Sequence, residues 1–330
     1  MENGIIELNA SFISMGNAVG KKEFEGPLGE FFDIHDEDDR FGKETWEKAE
    51  SEMQRLALNL ALKKSGLGFE DIGAIFAGDL LNQCVGSSYG LLGCNIPYFG
   101  LYGACSTAGE GIMLASVMTT HKIFSRCAAV TSSHNCSAER QYRTPIEYGG
   151  QRTPTSQWTV TGAGAFVVGD VDAGRVRISA GMPGRVLDKG VNDANNMGAA
   201  MAPAICDTLC RFFGESGSRP DDYDLIVTGD LGHEGASILR ELMKIESYKM
   251  GEQYTDCGIL IFDKESQDTH AGGSGCGCSA SVLSAYILPQ MEKGRFKRTL
   301  FVASGAMMSP DSIKQGQSIP AVGHLLCFEA

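Results

Sequence analysis

No stretch of this 330-residue chain approaches the roughly 20 consecutive apolar residues that span a bilayer. Its first residues, Met1-Glu-Asn-Gly-Ile-Ile-Glu, lack the basic region and apolar core of a secretory signal. Positive charge is scarce as well. With 28 Lys and Arg against 41 Asp and Glu, the formal net charge is −13, and the footprint that nucleic acid requires is missing. The acidic run 33–40 (DIHDEDDR) has neither the glycine nor the spaced ligands of a calcium loop, so it reads as a solvated loop. Eleven cysteines are an odd number, scattered along the chain, which fits a reducing compartment better than a disulfide framework. Cys276-Gly-Cys278 and Cys206-Asp-Thr-Leu-Cys210 have no matching His or Cys pair at zinc-site spacing, so no metal is expected, nor any cofactor. A cytosolic-type soluble protein remains.

What the chain has is small residues around one cysteine. Gly103-Ala-Cys105-Ser106-Thr-Ala-Gly109 joins an apolar stretch, 96–101, to a helix-like run through Ile112, Leu114, Ala115 and Met118. Such a turn lets the backbone bend sharply and a ligand come close. A thiol at a helix start feels the positive end of the dipole, which favours thiolate. A buried, inert cysteine is the other reading of the same residues.

An internal echo supports the first reading. Asp71-Ile-Gly-Ala-Ile-Phe-Ala-Gly-Asp79-Leu80 lines up with Asp222-Tyr-Asp-Leu-Ile-Val-Thr-Gly-Asp230-Leu231. Cys105-Ser106 matches Cys278-Ser279, and Arg126 to Ser132 matches Arg298 to Ser304, in the same order. Three ordered matches argue for a duplication and a pseudo-symmetric α/β protein with its site between the copies. The acidic turn at 169–173 is the natural join, giving halves of 1–172 and 173–330.

Within the first half, Trp46, Ala49, Met53, Leu56, Ala57 and Leu60 share one helical face, closed by Lys63, Lys64 and Gly66. Strands are expected at 71–79, 128–132 and, kinked by glycines, 158–168. A polar insertion over 133–157 carries Arg140, Arg143 and Arg152. In the second half strands are expected at 175–179, 225–228 and 299–303. Helices are expected from 192–198 to Phe213 with Gly214 as stop, over 238–244, and over 280–288 with Pro289 following.

These pieces resemble the thiolase superfamily on its ketoacyl-synthase side, and more closely the stage V sporulation protein AD family. The closer likeness rests on Ser132-Ser-His-Asn-Cys-Ser-Ala-Glu-Arg140-Gln-Tyr-Arg143, on the run Thr144 to Gly164 that follows it, on Asn196-Met-Gly-Ala-Ala-Met-Ala-Pro203, on His233-Glu-Gly and on His270-Ala-Gly-Gly-Ser-Gly-Cys-Gly-Cys278. The resemblance implies a five-layered αβαβα fold and a homodimer, for which the 158–168 strand looks suited. It also implies a sporulation role: binding dipicolinic acid for its movement into the developing spore, beside membrane proteins of the same operon, hence a position peripheral to the spore inner membrane.

A condensing enzyme needs a thiolate, groups for proton transfer or decarboxylation, and an oxyanion hole. Cys105 matches the nucleophile, His233 the first histidine, and Gly305 the oxyanion donor. The third position reads Ser274-Gly275-Cys276-Gly-Cys278, without Asn or His. Cys276 can be read as a thiolase-type second cysteine. A binding protein would use the same pocket differently. Amides near Cys105, Ser106 and the 272–277 turn, with Gly275 and Cys276, would hold one carboxylate of dipicolinate. Arg140, Arg143 or Arg152 would hold the other, unless they form ion pairs with Glu139 and Glu147. His233 would add a hydrogen bond, or be a buried structural histidine. Binding without catalysis is the favoured reading. An active ketoacyl synthase or thiolase acting through Cys105 is the alternative, and a pure docking scaffold the third.

Overall fold

Ten strands hydrogen-bond side by side in the computed structural model, which describes residues 4–142 and 152–330. In chain order they are β1 (Ile6–Val19), β2 (Ala74–Gly78), β3 (Tyr98–Leu101), β4 (Arg126–Ser133), β6 (Gly162–Asp170), β7 (Val176–Met182), β8 (Leu225–Thr228), β9 (Tyr254–Asp256), β11 (Arg298–Ala306) and β12 (Ala321–Glu329). Two short strands, β5 (Trp158–Thr159) and β10 (Gly273–Ser274), pair with each other elsewhere. Read inward from its two ends, the large sheet repeats itself: β3-β2-β4-β6-β1, then β9-β8-β11-β12-β7. β1 and β7 join the halves, antiparallel, with an irregularity between Glu7 and Ala10.

Each half covers its outer face with a long helix. Trp46–Ser65 starts where the Thr45 hydroxyl accepts the Lys48 amide and stops at Gly66, whose φ of 69° needs a glycine. Its buried face, Met53, Ala57, Leu58 and Ala61, packs on Ile75, Ala128, Val130, Ala163 and Ala165. Met197–Ser216 does the same for the second half, with Ile205, Leu209 and Phe213 against Ile226, Leu300, Val302 and Leu325. The chain runs through Gly214 and stops at Gly217 (φ 71°) instead, because only there does the backbone turn left-handed.

Between the two sets of strands lie two central helices, Thr107–Thr120 and Cys276–Val282. The Gly109 face of the first meets Ala303 and Phe301 of β11, while its Gly111 face meets Phe76 of β2 and Ala129 of β4. A helix touched by both halves on opposite faces is a middle layer, so the five-layered αβαβα order is present. In β6, the alternate residues Ala163, Ala165 and Val167 face the outer helix, and Phe166 and Val168 face the centre. Its glycines permit contact more than they kink the strand: a Cβ on Gly164 would lie 2.4 Å from the Ala280 carbonyl oxygen. Beyond Val282 the helix widens into a π turn, Leu283–Ile287, and resumes as Leu288–Glu292. Pro289 therefore continues the helix where the sequence suggests a stop, the π turn directly before it shifting the hydrogen-bond ladder that its missing N–H would interrupt.

The expected 158–168 strand is two strands. Trp158–Thr159 leaves to pair with β10, and β6 is hydrogen-bonded on both sides, to β1 and β4. It offers no open edge to a second copy. β3 is the edge strand of the first half, and it exposes Tyr98 and Phe99.

Candidate functional site

Ala104 takes a φ of 49°, a left-handed conformation rare for a residue with a side chain, and so delivers Cys105 to a pocket. The turn is locked from within. Ser106 Oγ donates to the Gly103 carbonyl at 2.6 Å, and Thr107 Oγ1 donates to the Ala104 carbonyl at 2.7 Å. The Ser106 and Thr107 amides are spent on the same two carbonyls. Gly305 at the end of β11 presses against this turn, since a Cβ there would sit 2.5 Å from the Gly103 oxygen.

Cys105 is buried, and the group facing its thiol is the carboxylate of Asp230, just after β8. Asp230 is itself buried. One of its oxygens accepts from Ser304 Oγ at 2.7 Å; the other accepts the Gly275 amide at 2.9 Å and Ser274 Oγ at 3.2 Å. Burial first, and the neighbouring carboxylate second, push the Cys105 thiol well above its ordinary range. The helix dipole alone would favour thiolate; here burial, which raises the Asp230 carboxyl as well as the thiol, prevails with that neighbouring acid adding to it, and the nearest amides are already occupied. Cys276 shares this small buried cluster with Cys105, Leu80 and Ala138, and its thiol donates to the Ser132 carbonyl at 2.9 Å. Burial pushes that thiol up too.

The pocket over Cys105 has a cavity volume of about 90 Å³, room for several waters or one compact ligand. Tyr102 and Tyr142 form one wall, their hydroxyls 2.8 Å apart, with Tyr142 donating to the Leu80 carbonyl at 2.9 Å. Asn195 and Met197 form another, so the N-terminal end of the Met197–Ser216 helix opens on it. Glu139 and Ser274 also line it.

The sequence-derived site residues divide. Cys105, Ser274, Gly275, Cys276, Ser106 and Gly305 come together from both halves. His233 does not join them. It opens the Gly232–Ile245 helix, its amide donating to the Ala271 carbonyl, and its ring lies near Lys264 and Glu234, outside the pocket lining. The synthase-like reading misses Asp230, which stands just ahead of that histidine and faces the thiol; the repeated Gly-Asp-Leu motif is the available signal. The 272–277 turn does not present free amides throughout, because Gly275 donates to Asp230 and Gly277 to Ser133. Arg140 pairs with Glu47 on the outer helix. Arg152 pairs with Asp268 at 2.6 Å and lies over the Trp158 ring. Neither lines the pocket, and Arg143 lies outside the described residues.

Residues 3–329 match a family model described as Stage V sporulation protein AD. The stage V sporulation protein AD of Bacillus subtilis (strain 168) is 42% identical over 316 residues, covering 96% of this chain and 93% of that one. Among solved structures, 3-oxoacyl-[acyl-carrier-protein] synthase III from Aquifex aeolicus VF5 superposes with a TM-score of 0.57 at 13% identity, covering 97% of this chain and all (100%) of its own. The corresponding synthase III from Xanthomonas oryzae gives 0.61 at 15%, covering 97% and 99%. Cerulenin-bound OleA of Xanthomonas campestris gives 0.61 at 14%, covering 97% of each. These likenesses establish the thiolase-like fold.

Proposed function

This chain belongs to the stage V sporulation protein AD family, and from that premise we propose that it binds dipicolinic acid in the Cys105 pocket and serves dipicolinate uptake into the developing spore without acyl transfer. One observation supports the second clause: the Cys105 thiol is buried beside the Asp230 carboxyl, and among the described residues no Lys, Arg or His lines the pocket to stabilise a thiolate. A thiol held neutral does not attack a thioester at neutral pH. The cavity suits a compact ring better than a long acyl chain, and the helix end at Asn195 and Met197 supplies a favourable field for one carboxylate of the dianion. Tyr102 and Tyr142 provide aromatic surface and hydroxyls beside it.

No helix among the described residues is long and apolar enough to cross a membrane. In this proposal, delivery at the spore inner membrane comes through docking on membrane proteins of the same operon. A homodimer through the exposed edge of β3 completes it, since an apolar open edge is otherwise an aggregation hazard.

Titration calorimetry with dipicolinate tests the pocket. Wild type should bind, and Cys105→Leu, which fills the cavity floor, should not while remaining folded. Equal binding by both would place the ligand elsewhere. Incubation with acyl-CoA should leave the mass at Cys105 unchanged; a stable acyl adduct lost in Cys105→Ala would favour the synthase reading.

A further inference from the structure

Three sulfurs meet between two helices of the second half, Met197–Ser216 and Gly232–Ile245. Cys206 and Cys210 lie one turn apart on the Met197–Ser216 helix with their sulfurs 3.9 Å apart. Met243 Sδ, from the Gly232–Ile245 helix, lies 3.9 Å from Cys210 Sγ. The two helices are close because Gly198 and Gly235 touch backbone to backbone, which brings Met243 over Cys210. Ligands about 2.3 Å from an ion in a trigonal plane stand about 4.0 Å from one another. Two edges of such a triangle are therefore already set.

The fold itself does not call for these sulfurs. At the corresponding positions of the equivalent helix, Trp46–Ser65, stand Arg55 and Asn59. Met243 is fully buried, Cys206 nearly so, and Cys210 partly exposed, which leaves a way in for an ion past Cys210. Asp207 and Glu246 lie close enough to act electrostatically on both thiols, and they favour a cation.

We propose that Cys206, Cys210 and Met243 form a binding site for a soft monovalent cation of the copper(I) type. Thiolate and thioether ligands select copper(I). Zinc prefers four ligands drawn from Cys, His and carboxylates, and among the described residues no group of three or more His, Cys, Asp or Glu is assembled to hold a metal. Binding transfers the two thiol protons to solvent and moves no electrons.

The test is an anaerobic titration of the full chain with copper(I) against a chromophoric copper(I) chelator such as bathocuproine disulfonate. Wild type should withhold one more equivalent than the double variant Cys206→Ser/Cys210→Ser. Met243→Leu, nearly isosteric, should weaken retention by about tenfold or more, the scale on which lost supporting contacts weaken metal sites, with an unchanged melting temperature. Excess zinc(II) should not displace the ion. Equal stoichiometry in wild type and double variant, or effective competition by zinc, would overturn the proposal. Should the double variant fail to fold, alkylation of wild type decides: bound copper(I) must protect Cys206 and Cys210, and protection confined to other cysteines would refute the site.

Discussion

Asp79 and Asp230 follow equivalent strands in the same Gly-Asp-Leu run, yet the two halves use them differently. In the first half Asp79 closes its own loop, accepting from the Leu81 amide at 2.9 Å and from the Ser87 amide and hydroxyl at 2.7 and 2.6 Å. In the second, Asp230 reaches β11 and the Gly273–Cys276 turn and confronts a thiol from the opposite copy. The matched cysteines diverge in the opposite sense. Cys105 opens onto a pocket, whereas Cys278 is sealed in the core with its sulfur 3.8 Å from the Gly229 carbonyl. Duplication supplied the frame twice, and the site arose where the copies differ.

The sharpest break of this comparison is Gly305→Val. Gly305 corresponds to Ser133 on β4, a position that tolerates a side chain, but a side chain at Gly305 would strike the Gly103 carbonyl. Urea unfolding should show a loss of about 3 kcal/mol; a loss under about 1 kcal/mol would mean that the Cys105 turn does not depend on this contact.

A smaller effect separates the buried acids. Burial pushes Glu50 up to about 8, with Asp79 adding to the rise, while its oxygens accept from Ser132 and Ser137. The unfolded chain releases this proton near the ordinary carboxylate value of 4.5, so the folded state retains a proton that the unfolded state has lost. Stability attributable to Glu50 therefore declines as pH rises from 4.5 to about 8. Glu50→Gln should flatten that decline and gain about 2 kcal/mol on wild type between pH 5 and 8. Asp256 in the second half, pushed to about 7 by burial, leaves a residual slope. An undiminished slope in Glu50→Gln would show that Glu50 does not carry the proton.

The least effect belongs to the arginines. Arg152 ties the first half to Asp268 in the second and lies over Trp158, whereas Arg140 pairs with Glu47 within the first half. Arg152→Ala should cost about 1 kcal/mol and Arg140→Ala less. The reverse order in thermal unfolding would deny Arg152 its bridging role.

Much of this frame is legible in the residues. The helical face from Trp46 to Leu60 and its Gly66 stop, the 225–228 strand, and the ordered motif matches are local or periodic features, and they foretell the repeat. Other features depend on contacts that no local pattern carries. Gly214 looks like a helix end until Gly217 is seen to adopt the left-handed cap. The strand at 158–168 looks like an edge until β1 and β4 are found on both its sides. The cysteine turn reads as activated because a helix dipole is local, while its effect is reversed by burial and, after it, by Asp230, 125 residues away in the chain. His233 stands out by motif, but the left-handed backbone turn at Gly232 (φ 64°) precedes it, and its ring lies away from the pocket.

The proposed function requires that burial and Asp230 together hold Cys105 as a neutral thiol, so that the pocket binds without acylating. The rate of iodoacetamide alkylation at Cys105, mapped by mass spectrometry from pH 6 to 10 in wild type, Asp230→Asn and Asp79→Asn, tests it directly. Wild type and Asp79→Asn should label only slowly even toward the top of that range, and Asp230→Asn should label at distinctly lower pH. Rapid wild-type labelling near neutrality, or the same profile in all three proteins, would contradict the account.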